Sequence, residues 1–134
     1  MGLRFLMFGI LGIFAEVAFT GLAAAVTKRD RSLTGESSLL MLPIYGLIAV
    51  LFPLIAIHLG TFPWWGRGLV YMLAFFVVEY LTGLGLTRLG VCPWKYSSKY
   101  AINGLISLPY APVWFLAGLG VEWIYPWIKA MSIV

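Results

Sequence analysis

Two glutamates, Glu16 and Glu79, are the side chains of this sequence with the greatest capacity for chemistry. Each is the only charged residue within a long apolar run. A carboxylate in the middle of a bilayer-spanning helix is costly unless it is protonated, paired or hydrated, and such residues usually face the interior of a bundle. Two of them can bind a cation, exchange protons against a substrate, or act as an acid and base pair.

The other polar residues near these runs leave alternatives open. Thr20 and Thr82 each follow a glutamate and precede a glycine, so each glutamate can instead be a packing element bonded to a threonine or a backbone carbonyl. Glu122 lies about one turn from the end of the last apolar run, where it is either solvated or part of a polar centre with the other two acids. With one His and one Cys, the chain has no zinc or haem signature, and we expect neither a metal nor a cofactor.

The composition identifies the class of protein that must position these residues. Of 134 residues, 62% are hydrophobic and 10% charged, and the mean hydropathy is +0.97. A soluble domain carries roughly a quarter of its residues as charges. The composition therefore predicts an integral membrane protein and excludes most soluble enzymes, DNA-binding modules and disordered tails. No phosphate loop, nucleophile elbow or paired-histidine motif occurs, which excludes an ATPase or hydrolase domain.

The apolar runs are long enough for bilayer-spanning helices, which need about 20 residues each. Pro53 is expected to kink the second of them. We predict an all-α, integral membrane four-helix bundle that forms a single multi-pass domain. Its predicted spans are residues 5–26, 39–59, 69–86 and 104–125.

Basic residues set the predicted orientation, because they collect in cytoplasmic loops. Loops one and three hold twice as many as the termini and the middle loop. This distribution places loops one and three in the cytoplasm and both termini outside, and it argues against reading the net charge of +4 as a nucleic-acid footprint. The two sets are Lys28, Arg29, Arg31, Arg88, Lys95 and Lys99, against Arg4, Arg67 and Lys129.

The two halves of the chain resemble each other. Each has a helix with a central glutamate followed by Thr-Gly, then a basic loop, then a second helix that opens on an apolar-Pro-Tyr signal at Pro43 or Pro109. Small or weakly polar residues recur at helical spacing on the glutamate faces, such as Gly9 and Gly12 beside Glu16. This pattern is that of two repeated hairpins related by a pseudo-two-fold axis along the membrane normal, with the glutamates at a polar centre between them.

Several segments together resemble the CmpB-like ABC-transporter permease family, and they look closest to its branch called transmembrane protein 229. The likeness covers about residues 14–123. Its most specific element is Cys-Pro-Trp-Lys-Tyr-Ser at residues 92–97, and the others are Phe-Ala-Glu-Val-Ala-Phe-Thr-Gly, Leu-Pro-Ile-Tyr-Gly, Glu-Tyr-Leu-Thr-Gly and Asn-Gly-Leu-Ile-Ser-Leu. The resemblance implies that Glu16, Glu79 and Asn103 occupy signature positions of the family, and that its signature loop is formed by Cys92, Pro93, Trp94, Tyr96 and Ser97. Asn103 joins the candidate binding residues on this ground.

The sequence departs from that family at two positions. Lys95 stands where the family commonly has an acid, and Leu40 stands where a tryptophan is expected. The acid of that loop is therefore not required for a mechanism shared by the family.

Three classes of function fit these features. The first is a small transporter or permease, working as a monomer or a homodimer, whose glutamates bind a cation or exchange protons. The second is an accessory subunit of a larger membrane complex. The third is an intramembrane enzyme that acts on a lipid or isoprenoid with the glutamates as acid and base. All three have membrane lipids as partners, and none has nucleic acid.

Overall fold

The structure, a computed structural model, describes residues 1–133. The chain is mostly helical and divides into two compact units. The first comprises residues 1–58 with 132 and 133, and the second comprises residues 59–131.

The first unit is a helical hairpin. Its helices are α1 (Gly2–Thr27), α2 (Met41–Gly46) and α3 (Ile48–Ala56). Glycines on α1 allow α2 to approach closely, since a Cβ at Gly12 would overlap the side chain of Tyr45. Gly46 of α2 accommodates the ring of Phe5 in the same way. Small residues at a helix interface are typical of helices that associate in membranes.

The predicted span 39–59 is divided in the structure. Leu47 separates α2 from α3, and its N–H donates to the carbonyls of both Pro43, at 3.1 Å, and Ile44, at 3.2 Å. The shared bond tightens the backbone into a 3₁₀-like turn at this point. Pro53, where the sequence predicted a kink, lies inside α3.

The second unit is a longer hairpin with an elaborate connection. Its elements are α4 (Trp64–Arg88), β1 (Ala101–Ile102), β2 (Ile106–Ser107), a 3₁₀ turn (Leu108–Tyr110) and α5 (Ala111–Met131). Glycines again set the approach of the two helices. A Cβ at Gly68 would overlap the ring of Phe115, and one at Gly118 would overlap Tyr71.

The fourth predicted helix begins later than expected. The sequence predicted a span over 104–125, but residues 101–107 form an antiparallel β-hairpin and α5 starts at Ala111. Asn103 and Gly104 have φ values of +54° and +70°, and the Leu105 N–H donates to the Ile102 carbonyl at 3.0 Å, which closes a tight turn over this Asn-Gly pair. Ile102 pairs with Ile106, so the hairpin loop has three residues, and Asn and Gly are favoured where such a loop needs positive φ. This dipeptide was the sequence signal for a hairpin, and its backbone cannot continue a helix.

Two helices within residues 1–133 are long and apolar enough to cross a membrane, Gly2–Thr27 and Trp64–Arg88. The apolar helical stretch Met41–Ala56, which α2 and α3 form together, is shorter. A stripe of large apolar side chains runs along α4 at four-residue intervals, and each is at least 44% exposed: Leu69, Leu73, Val77 and Leu81. A stripe of this length is unfavourable in water and is the surface expected of a helix in contact with lipid.

A pair of glycine substitutions in α5 tests the packing of the second unit. Gly118→Ala should lower the free energy of unfolding by about 1–3 kcal/mol, as overpacking usually does, because the added methyl group collides with the Cβ of Tyr71. The matched control is Gly120→Ala, whose methyl group meets no atom within 4 Å and should leave stability equal or higher. Thermal unfolding of the purified protein in detergent measures both, and equal unfolding temperatures for the two variants would contradict the packing described.

Candidate functional site

Glu16 lies in the middle of α1 and is held by two hydroxyl groups. Tyr45 of α2 donates its hydroxyl to Oε2 of Glu16 at 2.9 Å, and Ser37 donates to the same oxygen at 3.2 Å. The glutamate side chain is half-buried. The contact of Gly12 with the Tyr45 side chain brings the tyrosine into reach, so the close helix packing also positions the donor.

The segment between α1 and α2 reverses direction directly after the helix. Arg29 and Leu33 have φ values of +53° and +56°. Asp30 accepts hydrogen bonds from the Ser32 hydroxyl, at 2.5 Å, and the Ser32 N–H, at 3.0 Å. The Ser32 hydroxyl is the main cause that lowers the pKa of the Asp30 carboxyl. Asp30 therefore stays ionised among the basic residues of this loop.

From that turn the segment runs back along α1 toward Glu16. The Leu33 carbonyl lies against Gly21, and Gly35 lies against the Val17 carbonyl and Thr20. The N–H of Glu36 donates to Oγ1 of Thr20 at 2.8 Å. Ser37 then reaches Glu16. The donors of Glu16 thus come from a segment that returns along the helix and from the first turns of α2.

Glu79 of α4 is held in the same manner by two other side chains. Tyr96 donates its hydroxyl to Oε1 at 2.6 Å, and the indole N–H of Trp114 donates to Oε2 at 3.2 Å. The Trp114 ring stacks on Phe75 with the ring centroids 4.8 Å apart and the planes 16° from parallel. This stack fixes the indole plane, so its N–H points at the carboxylate of a residue one turn from Phe75.

The connection between α4 and α5 positions Tyr96. The N–H of Tyr96 donates to the Gly104 carbonyl at 2.9 Å, and the indole N–H of Trp94 donates to the Leu105 carbonyl at 2.9 Å. Trp94 and Leu105 both lie against Gly83 of α4. The Asn-Gly hairpin therefore packs on α4 just beyond Glu79, and Tyr96 is tied to it.

Three of the predicted binding residues, Thr20, Thr82 and Asn103, donate hydrogen bonds to groups other than the glutamate carboxylates. Thr20 and Thr82 do not donate to the glutamate carboxylates, because their hydroxyls bond backbone carbonyls: Thr20 that of Glu16 at 2.9 Å, and Thr82 that of Val78 at 2.6 Å. Asn103 occupies the exposed hairpin turn and donates its amide to the Tyr80 hydroxyl at 2.8 Å.

The residues of the signature loop, 92–97, differ in burial. Trp94 and Tyr96 are half-buried and make the contacts just described. The Cys92 thiol donates to the Trp94 carbonyl at 3.3 Å, while Pro93 and Ser97 are exposed. This loop therefore contributes one residue, Tyr96, that touches a candidate functional carboxylate.

Glu122 is paired with a cation. Nε of Arg67 lies 2.9 Å from Oε2 and 3.1 Å from Oε1, and Nη2 of Arg67 donates to Oε1 at 2.9 Å. Tyr71 donates its hydroxyl to Oε2 at 2.5 Å. The sequence had placed Arg67 in the middle loop and left Glu122 either solvated or in a polar centre. The ion pair instead ties the start of α4 to the second half of α5.

Sequence reasoning missed several residues that complete these sites. The residues are Ser37, Tyr45, Trp114, Arg67 and Tyr71. Tyr45 lies in the repeated Pro-Tyr signal, which could have indicated it. Its counterpart Tyr110 packs against the Tyr96 ring with centroids 5.6 Å apart, so in the second unit this tyrosine contacts a donor of Glu79.

The chemistry of the three acids differs. The groups shown donating to Glu16 and Glu79 are neutral hydroxyls and an indole, whereas Glu122 binds a guanidinium. Hydroxyl and indole donors stabilise a carboxylate without bringing a positive charge of their own, whereas a guanidinium forms an ion pair. Within residues 1–133, no three His, Cys, Asp or Glu side chains are grouped so that they could hold a metal ion.

Removing the indole N–H tests the donor set of Glu79. Trp114→Phe keeps an aromatic ring beside Phe75 and deletes the bond to Oε2. We expect a loss of about 1–3 kcal/mol in unfolding free energy, the range for hydrogen bonds to charged or buried groups. Tyr100→Phe, on an exposed ring, is the control. Unfolding followed by circular dichroism measures both, and a Trp114→Phe protein as stable as the control would show that the bond is not formed.

A double-mutant cycle tests the ion pair. Arg67→Gln and Glu122→Gln should each destabilise the second unit, because each leaves a half-buried charge without its partner. The double variant should be less destabilised than the sum of the two single losses. Strict additivity, measured by the same unfolding experiment, would show that the two side chains do not interact.

Comparison of the sequence with known protein families identifies the family of this chain. Residues 3–134 match the family described as "Putative ABC-transporter type IV", of the CmpB group. No solved structure matches the chain. The family match agrees with the two apolar helices that can cross a membrane, and it confirms at the family level the resemblance drawn from the motifs. The chain therefore belongs to the CmpB family, which is described as "Putative ABC-transporter type IV".

Proposed function

We propose that this protein is a small multi-pass membrane transporter in which Glu16 and Glu79 exchange protons or bind a small cation during transport. The observation that carries the proposal is that each acid, alone in an apolar helix, is held by neutral donors: Tyr45 and Ser37 in one unit, Tyr96 and Trp114 in the other. The transporter family to which the chain belongs supports it.

The donors suit a group that changes its protonation state. A hydroxyl can donate to an ionised carboxylate and accept from a protonated one, so Tyr45, Ser37 and Tyr96 can keep their bonds in both states. The indole N–H of Trp114 donates only, so a proton on Glu79 would reside on Oε1, beside the Tyr96 hydroxyl. Uptake of a proton at either glutamate then needs rotation of hydroxyl groups and no movement of a helix.

The proposal includes four spans and an internal repeat. Gly2–Thr27 and Trp64–Arg88 would each pair with a partner helix, Met41–Ala56 and Ala111–Met131. In each unit a glutamate helix is followed by a segment that packs on its C-terminal half, and this likeness supports two repeated hairpins. The Cys-Pro-Trp-Lys-Tyr-Ser element supports the transmembrane protein 229 branch, and the basic loops support a cytoplasmic position for the segments after α1 and α4.

A second candidate is an accessory subunit of a larger membrane complex or of a homodimer. The hydrogen bonds that hold both glutamates favour it, because a carboxylate bonded to tyrosine and tryptophan can also serve as a fixed packing element. In that case the glutamates would stabilise the fold and carry no flux.

Proton flux in liposomes tests the proposal. The purified protein is reconstituted with a pH-sensitive dye inside the vesicles, and potassium with valinomycin imposes a membrane potential. We expect the native protein to acidify or alkalinise the lumen in the direction of the potential. Glu16→Gln and Glu79→Gln should each abolish this flux while the proteins still fold.

The matched control is Glu36→Gln, the same change at an exposed loop acid, which should keep the native flux. Folding of each variant is checked by its elution volume and unfolding temperature. Native flux in both Glu16→Gln and Glu79→Gln would contradict the proposed role. A native protein that conducts no protons, but co-purifies with one specific membrane partner, would establish the accessory role instead.

A further inference from the structure

The two glutamates lie far from the ends of their helices. At 1.5 Å per residue, Glu16 is roughly 16 Å from the Thr27 end of α1, and Glu79 is roughly 14 Å from the Arg88 end of α4. Half the thickness of a bilayer's hydrocarbon core is about 15 Å. Glutamates at this distance from the aqueous end of a spanning helix lie near the bilayer centre.

In the first unit, non-helical backbone nevertheless reaches the level of Glu16. Leu33 contacts α1 at Gly21, Gly35 contacts it at Val17 and Thr20, and Glu36 bonds Thr20, so the segment lies along the turn of α1 directly after Glu16. The next residue, Ser37, donates its hydroxyl to the carboxylate of Glu16. Helix α2 begins only after that point, at Met41.

In the second unit, the connection reaches Glu79 in the same manner. Trp94 and Leu105 contact Gly83, one turn beyond the glutamate, and Tyr96 places its hydroxyl on Glu79. Helix α5 begins at Ala111 and reaches Glu79 through Trp114, within its first turns. In both units, therefore, the connecting segment contacts the turn of the first helix directly after the glutamate, and the second helix supplies a donor to the glutamate itself.

Irregular backbone at membrane depth is tolerated only where it is buried in protein or lines a water-filled cavity, because lipid cannot satisfy its polar groups. Neither segment is wholly buried, although Leu105, Ile106 and Ser107 of the second are. Glu36 and Ser37 are exposed in the first, and Ser97, Ser98 and Lys99 are exposed in the second. Their polar side chains would be costly in lipid, which leaves water as the phase that they face.

We propose that residues 28–40 and 89–110 are re-entrant loops that bring water, and with it protons or small cations, to Glu16 and Glu79, each from the side of its own loop. Ser37 and Tyr96 are the groups that join the loops to the carboxylates. The use of this route in transport rests on the proposed function, whereas the hydration of the loops does not.

Thiol accessibility tests the hydration. In a Cys92→Ser background, single cysteines are placed by Ser37→Cys and Ser97→Cys in the loops, and by Phe14→Cys and Leu73→Cys on the apolar faces of α1 and α4, where the native side chains are 71% and 58% exposed. Arg31→Cys marks the exposed turn. The full-length protein in proteoliposomes of fixed orientation is treated with a membrane-impermeant cationic methanethiosulfonate reagent.

The two loop cysteines should react from the side that labels Arg31→Cys, at a rate within roughly tenfold of it, because the reactive thiolate forms only in water. The two controls in lipid should react at least about a hundredfold more slowly. Since Ser37→Cys weakens a bond to Glu16, Glu36→Cys provides a second position in that loop and should behave alike.

Loop cysteines as inert as the lipid controls, or labelled only from the opposite side, would overturn the inference. The result is separable from that of the flux assay. Reactive loop cysteines in a protein without proton flux would support the re-entrant loops and remove the proposed transport role. Inert loop cysteines in a protein whose flux depends on the glutamates would support the transport role and rule out the re-entrant loops.

Discussion

The structure depends on one constraint, which is that a carboxylate in the middle of an apolar helix needs hydrogen-bond donors at its own depth. Glu16 and Glu79 find theirs in side chains from other elements of their own units. The partner helix supplies a donor to each, Tyr45 to Glu16 and Trp114 to Glu79. The second donor comes from a non-helical segment, and this explains why α2 and α5 begin beside the glutamates and not at the level where α1 and α4 end.

Glycine makes these contacts sterically feasible. Gly12 receives the Tyr45 side chain, Gly83 receives Trp94 and Leu105, and Gly35 lies against the backbone of α1. Each contact places backbone or an aromatic ring where a methyl group would not fit. In a membrane the hydrophobic effect does not drive helices together, so close approach of this kind supplies packing energy. The same glycines therefore serve both the association of the helices and the placement of the donors.

The three acids of the apolar helices divide by the charge of their partners. Glu122 is bound by the Arg67 guanidinium through both carboxylate oxygens, an arrangement that suits a permanent tie between two helices. Glu16 and Glu79 are bound by phenol, hydroxyl and indole groups, which suit a carboxylate that gains and loses a proton. This difference in partners, more than the position of the acids in the sequence, separates a structural role from a candidate transport role.

The sequence by itself determined the features that depend on local composition: the helical, membrane-like character of the chain, the two isolated glutamates and the family. The partners of those glutamates were decided by the tertiary structure, because Tyr45 is 29 residues from Glu16, Trp114 is 35 from Glu79, and Arg67 is 55 from Glu122. Hydropathy cannot rank such distant pairs. The late start of α5 was open to prediction from Asn103 and Gly104, whereas the depth reached by the connecting segments follows only from how they pack on α1 and α4.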